Sequence, residues 1–351
     1  LSQFVGTRSN VTQWRFNANN GTTALVLGEN DTIYFGSIEN LYALNHDGSV
    51  KFKAYIGGLV DPPTLGPDGT IYLDNNGKEI FALDPNGKIK WKFESNGAVT
   101  IPVMDIYGRI YFGSDDFLYS ISPHGKLLWK YKTGGIVRLP SIGKDGIIYL
   151  GDSDHRLYSI DSSGAVRWKF QADGVTSFPS ISRQGTIYFC DSNSYLYALN
   201  SDGTLKWKYN SSNMDAPPSI GPDETLYLND GTGIIAINPD GTFKWGFHPA
   251  NVTIQSATVD SSGTIYAGAF ENRLYAIDQD GQVKWDFKSF GSVGQPVLGS
   301  DGAIYFNSGE GIIYSLGHPI PEFGNEAYVI FIITIIGIIA ISNFTPKLFR
   351  L

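Results

Sequence analysis

The sequence predicts an all-β protein: an eight-bladed β-propeller of four-stranded antiparallel blades, closed by its N-terminal strand, plus one C-terminal transmembrane helix. Three observations lead there. A unit of 38 or 39 residues recurs eight times. The last unit lacks its fourth strand, while an orphan strand of that type stands before the first unit. An uncharged apolar run occupies residues 328–344.

The repeat is marked by an (Ile/Leu)-Tyr pair, with its tyrosine at Tyr34, Tyr72, Tyr111, Tyr149, Tyr188, Tyr227, Tyr266 and Tyr305. Nine residues before six of these tyrosines stands a proline: Pro63, Pro102, Pro140, Pro179, Pro218 and Pro296; Leu25 and Ala257 take the other two places. A second apolar strand follows each tyrosine, such as LYAL from Leu41 or LYSI from Leu118. Next comes a turn such as Asp47-Gly48 or Asp202-Gly203, whose glycine supplies the positive φ of a tight hairpin. The fourth strand is centred on Trp91, Trp129, Trp168, Trp207, Trp245 or Trp285, with Phe52 in the first copy. Each unit is thus four strands, A to D, with the alternation of half-buried antiparallel strands. One unit cannot cover its own faces, but eight arranged radially can.

The eighth unit ends after its third strand at Leu316, and residues 12–16 around Trp14 form the orphan fourth strand. Pairing the two closes the ring and leaves no open blade edge. The propeller therefore takes residues 1–317, followed by a linker at 318–327, the span at 328–344 and a basic cytoplasmic tail at 345–351.

Composition agrees with strands and tight turns, with 20 Tyr, 21 Phe, 7 Trp and 41 Gly among 351 residues. A net charge of −8 without a basic stretch in the main body argues against nucleic acid as a partner. Cys190 is the single cysteine, so stability rests on the core rather than on disulfides. The first residue is Leu1, which leads us to expect an N-terminal segment, such as a secretion signal, ahead of it.

The repeat resembles that of pyrroloquinoline-quinone-type (PQQ-like) propellers: Gly185-Thr186-Ile187-Tyr188, then LYAL from Leu196, then Lys206-Trp207-Lys208 show the pattern. The resemblance covers residues 10–317 in eight copies. It implies the fold, but the family spans quinoprotein dehydrogenases, the scaffold lipoprotein of outer-membrane assembly and surface proteins, so it does not fix an activity. Its dehydrogenases have long loops, a calcium held by acidic and amide groups, and two adjacent cysteines. This chain has compact repeats and one cysteine, so no quinone or calcium cofactor is expected, and no enzymatic activity. The acidic loops Asp115-Asp116, Asp152-Ser153-Asp154 and Asp191-Ser192-Asn193 are the places a calcium ion would bind; solvation is their simpler role.

As a helix, residues 328–344 span roughly 25 Å, the short end of what crosses a bilayer. Lys347 and Arg350 follow, which places this end in the cytoplasm and the propeller outside. Before the span stands Pro321-Glu322-Phe323-Gly324. This arrangement is similar to the sorting tail of certain archaeal surface proteins, which implies cutting by a membrane transpeptidase and transfer to another anchor.

Both ends of the ring fall on the side of the C–D turns, so the D–A loops are expected to face away from the membrane. Three Asn-x-Ser/Thr sequons, at Asn20, Asn210 and Asn251, lie in those loops and are candidates for glycosylation. Further sequons occur at Asn10, Asn30 and Asn343; the last lies within the span.

No nucleophile elbow, phosphate loop or metal-ligand spacing is present, and no catalytic or metal-ligating residue is assigned. His46 and His124 fall in C–D turns. Eleven residues before each repeat tyrosine stand Thr23, Asp61, Thr100, Arg138, Ser177, Ala216, Gln255 and Gly294, where the D–A loop enters the innermost strand. This mixed polar column should ring the channel mouth, with Asp215, Phe178 and Gln295 beside it. Arg138 and Asp61 are the strongest candidates for binding a small ligand or peptide. The leading reading is a non-enzymatic, membrane-anchored surface scaffold. The alternatives are a quinone-dependent redox enzyme outside the cytoplasm and a structural component of the cell-surface layer.

Overall fold

The computed structural model describes residues 12–210 and 216–317. Asp215, the PEFG motif at 321–324, the apolar run at 328–344 and the basic tail lie outside them. Among the described residues no helix is long and apolar enough to cross a membrane.

The chain forms eight separate antiparallel sheets, each a blade. Blade 5 shows the pattern, with strands Ser180–Ile181, Ile187–Cys190, Tyr195–Leu199 and Leu205–Asn210 from A to D. In blade 1 the second and third strands are one run, Ile33–Leu44. Phe35 stacks on Tyr42 as Phe112 stacks on Tyr119 in blade 3, so the chain turns back inside this run. Glu39, with φ of 63°, sits at the turn.

The ring closes as the repeat arithmetic predicts. Thr12–Asn17 pairs antiparallel with Ile312–Leu316, and Ile304–Asn307 and Val297–Leu298 complete blade 8. Trp14 stands opposite Ser315, and Thr12 opposite Leu316. The ring is therefore entered and left at the edge that carries the C–D turns.

The core is not one mass but a set of interfaces between blades. Tyr188 and Leu196 of blade 5 pack with Leu226 and Ile235 of blade 6, and Tyr227 and Ile234 of blade 6 with Ile265 and Tyr275 of blade 7. Blade 8 meets blade 1 through Tyr305 and Ile313 against Phe35 and Leu44. Burying one such Ile or Leu contributes roughly 1.5–3 kcal/mol, so no blade is stable without its neighbours.

Six D-strand tryptophans, all but Trp285, fasten their blades to the next. Each packs at a tilt against the repeat tyrosine of its own blade, as Trp168 does against Tyr149 with centroids 5.8 Å apart and an interplanar angle of 42°. Its indole N–H then donates forward to a carbonyl in the next C–D turn: Trp168 to Ser201 at 2.9 Å, Trp207 to Pro239 at 2.9 Å, Trp245 to Gln279 at 2.7 Å. The turn glycine is required twice over. Gly203 has φ of 87°, and a Cβ there would lie 2.6 Å from the ring of Trp168.

Candidate functional site

The A strands line the axis. They are an outer member of every sheet, and they contact the A strands of neighbouring blades. A belt of hydroxyls joins them: Thr64, Ser141, Ser180, Ser219 and Thr258 each donate to a carbonyl one blade on, those of Pro102, Pro179, Pro218, Ala257 and Pro296, at 2.5–2.8 Å. Val26, Val103 and Val297 hold the same place in the other three blades.

The polar column enters this belt at the D–A edge. Its backbone N–H groups pair across to the B strand, Thr100 to Gly113 at 2.9 Å and Arg138 to Gly151 at 2.8 Å. The hydroxyls do not all face the axis as the spacing suggests. Those of Thr23, Thr100 and Ser177 turn back and accept the N–H of Gly36, Gly113 and Cys190 at 2.8, 2.9 and 3.0 Å. They complete their own blades. Arg138, Phe178 and Gln295 are exposed on the edge, and Gln255 is half-buried, its carbonyl accepting the Asn229 amide at 3.2 Å. Arg138 and Asp61 stand two blades apart. Asn20, Asn210 and Asn251 are all exposed here.

Asp61 is the exception in the column. It faces Asp74, its cross-strand partner in blade 2, and the two carboxyl groups are within hydrogen-bonding reach. Asp74 is fully buried, and one of its oxygens meets no donor. Burial raises both carboxyls, and Asp61 adds to the effect on Asp74, which reaches about 7.

Two of the three acidic B–C loops are structural rather than merely solvated, while Asp115 is exposed. Asp152 and Asp191 are buried. Asp152 accepts the N–H groups of Asp154 and Arg156 and the hydroxyl of Tyr158; Asp191 accepts those of Asn193, Tyr195 and Tyr197. Cys190 is a buried filler beside them. His248 meets Asp230 at 2.7 Å. Burial raises the Asp230 carboxyl, but the bonds from His248 and Thr232 outweigh it and hold it low.

At the seam the fold unites three groups that sequence spacing keeps apart: Asp31, His46 and Asp301. Asp31 accepts the N–H and hydroxyl of Ser300, at 2.9 and 2.6 Å. The Nδ1 of His46 lies 2.8 Å from the Tyr305 hydroxyl, and its Nε2 is 3.6 Å from Asp301. They clasp blade 8 to blade 1.

Apolar side chains stand out on both edges, Ile106 and Tyr107 on the A–B and C–D edge and others on the D–A and B–C edge. Ile136, Phe270 and Phe290 are 61, 57 and 64% exposed. Phe290, with Lys288, Glu310 and Ile312, lines a cleft between blades 7 and 8, and the Arg15 guanidinium lies 5.7 Å from its ring.

The PQQ_2 family, described as outer membrane protein assembly factor BamB, matches residues 114–317, more than half of the chain. The chain belongs to this family. No curated protein matches the PQQ_2 chain. Among solved structures, BamB from Moraxella catarrhalis is similar with a TM-score of 0.71 at 12% identity, over 88% of this chain and 99% of that one. The computationally designed Ika8 protein reaches 0.74 at 12% identity, over 86% and 97%. Sqt1 of Saccharomyces cerevisiae reaches 0.73 at 11% identity, over 87% and 98%. At such identities these likenesses establish the propeller fold of this PQQ_2 member.

Proposed function

We propose that this PQQ_2 propeller is a non-enzymatic interaction scaffold, anchored at the cell surface through residues 328–344, which binds a protein partner on its D–A loop edge. The observation that carries this reading is the set of exposed apolar side chains, Ile136, Phe178, Phe270 and Phe290, on the edge opposite the one where the ring is entered and left. Loops carried on a rigid frame are where recognition residues concentrate. The family's description as an assembly factor for outer membrane proteins supports a protein as the partner.

The donor set supports a reading without a bound quinone. Three hydroxyls of the column are bonded inside their own blades, and the chain's one cysteine is buried. The basic end after residues 328–344 supports a propeller outside the cytoplasm, and the PEFG motif supports processing of the tail.

Cross-linking on intact cells tests the surface. Changing Ile136, Phe178 and Phe290 together to Ser should abolish the cross-linked partner while leaving Tm unchanged. Undiminished capture overturns the assignment. Intact mass of the membrane-extracted protein tests the tail: loss of the residues after 324 supports processing, and the full mass refutes it.

A further inference from the structure

Asp74 closes the strand Ile71–Asp74 in a column that reads Gly36, Asp74, Gly113, Gly151, Cys190, Asn229, Gly268 and Asn307 around the ring. Side chains here reach into the next blade. Asn229 shows how the place is filled. Its oxygen accepts the N–H two residues on, from Gly231 at 2.7 Å, and its amide donates to the next blade's carbonyls, Ile254 at 2.6 Å and Gln255 at 3.2 Å. The Asn307 amide donates likewise to the carbonyls of Thr22 and Thr23, both at 3.2 Å.

Asp74 follows Asn229 in its first contact and departs from it in the second. Its Oδ2 accepts the N–H of Asn76, also two residues on, at 3.0 Å. Its Oδ1 is left in the place of the Asn229 amide and has no donor. By the repeat, the carbonyls ahead of it are those of Val99 and Thr100, and the Asp61 carboxyl stands beside it. By the repeat, acceptors thus surround a fully buried oxygen, a place that a proton shared with Asp61 or a cation would satisfy.

We propose that Asp61 and Asp74 hold a hard divalent cation between blade 2 and the entry of blade 3. Carboxylate and carbonyl oxygens are the donors that calcium takes. Asp61 is half-buried, which gives the ion a way in from the channel edge.

Calorimetric titration of the chelator-treated full chain with calcium chloride tests this. At pH 8 we expect saturable binding and a calcium-dependent rise in Tm. Asp74→Asn restores the Asn229 arrangement, so it should fold and lose the binding; Asp61→Asn should weaken it at least tenfold. Absence of binding at pH 8, or binding kept by Asp74→Asn, overturns the site and leaves a shared proton as its only occupant.

Discussion

The indole nitrogen of Trp14 lies 2.8 Å from the carbonyl oxygen of His46, so the first described strand finishes the last blade and fastens it to the first. The same indole packs 5.9 Å from Tyr305. Trp14→Ala removes both contacts at the one place where the ring is held shut without a covalent link. It is expected to cost about 3 kcal/mol and to lower the denaturant midpoint more than Trp207→Ala does. Equilibrium urea unfolding checks this.

Asp74 makes stability depend on pH in an unusual direction. Its folded pKa of about 7 lies above the ordinary carboxylate value. A raised carboxyl favours the fold fully below its unfolded pKa, and that contribution is lost as pH rises through the folded one. In a chelator, Tm is therefore expected to fall between pH 5 and pH 8, by the equivalent of on the order of 2 kcal/mol. Asp74→Asn should flatten this dependence and stabilise the protein at pH 8. Thermal melts across the range decide the point.

The hydroxyl belt has three gaps. Val103 stands where Thr64 and Ser141 bond to the next blade. Val103→Thr should add the missing bond, to Pro140, for a gain of about 0.5–1 kcal/mol; Ser180→Ala should cost about 1 kcal/mol. Chemical denaturation of the two variants measures both signs.

Much of the fold was legible because a propeller repeats its chemistry. The tyrosine spacing, the Asp-Gly turns and the tryptophan strands each recur, and the missing strand after Leu316 matched the orphan at Trp14. Side-chain direction was less legible. The column of Thr23, Thr100 and Ser177 was found by position, but whether a hydroxyl faces the axis or its own blade depends on the register with the residue thirteen places on. Asp74 was missed for the same reason, since it is conspicuous only as an acid among the glycines and asparagines of its column. Asp152 and Asp191 read as solvated loop acids, whereas each lies six residues before the tyrosine whose hydroxyl it accepts. Asp31 and Asp301 meet only through ring closure, which no local spacing encodes.

Every forward-reaching tryptophan gives the ring a sense of rotation, and that sense makes its opening portable. Trp285 of blade 7 is the one whose following blade has no C–D turn to receive it, since there the third strand ends at Leu316 and the fourth begins at Thr12. A circular permutant with Gly317 tethered to Thr12 and the chain opened at Asp202-Gly203 keeps all eight sheets. It gives Trp285 a landing place and deprives Trp168 of its own, so the weakest joint migrates from the eighth blade to the fifth.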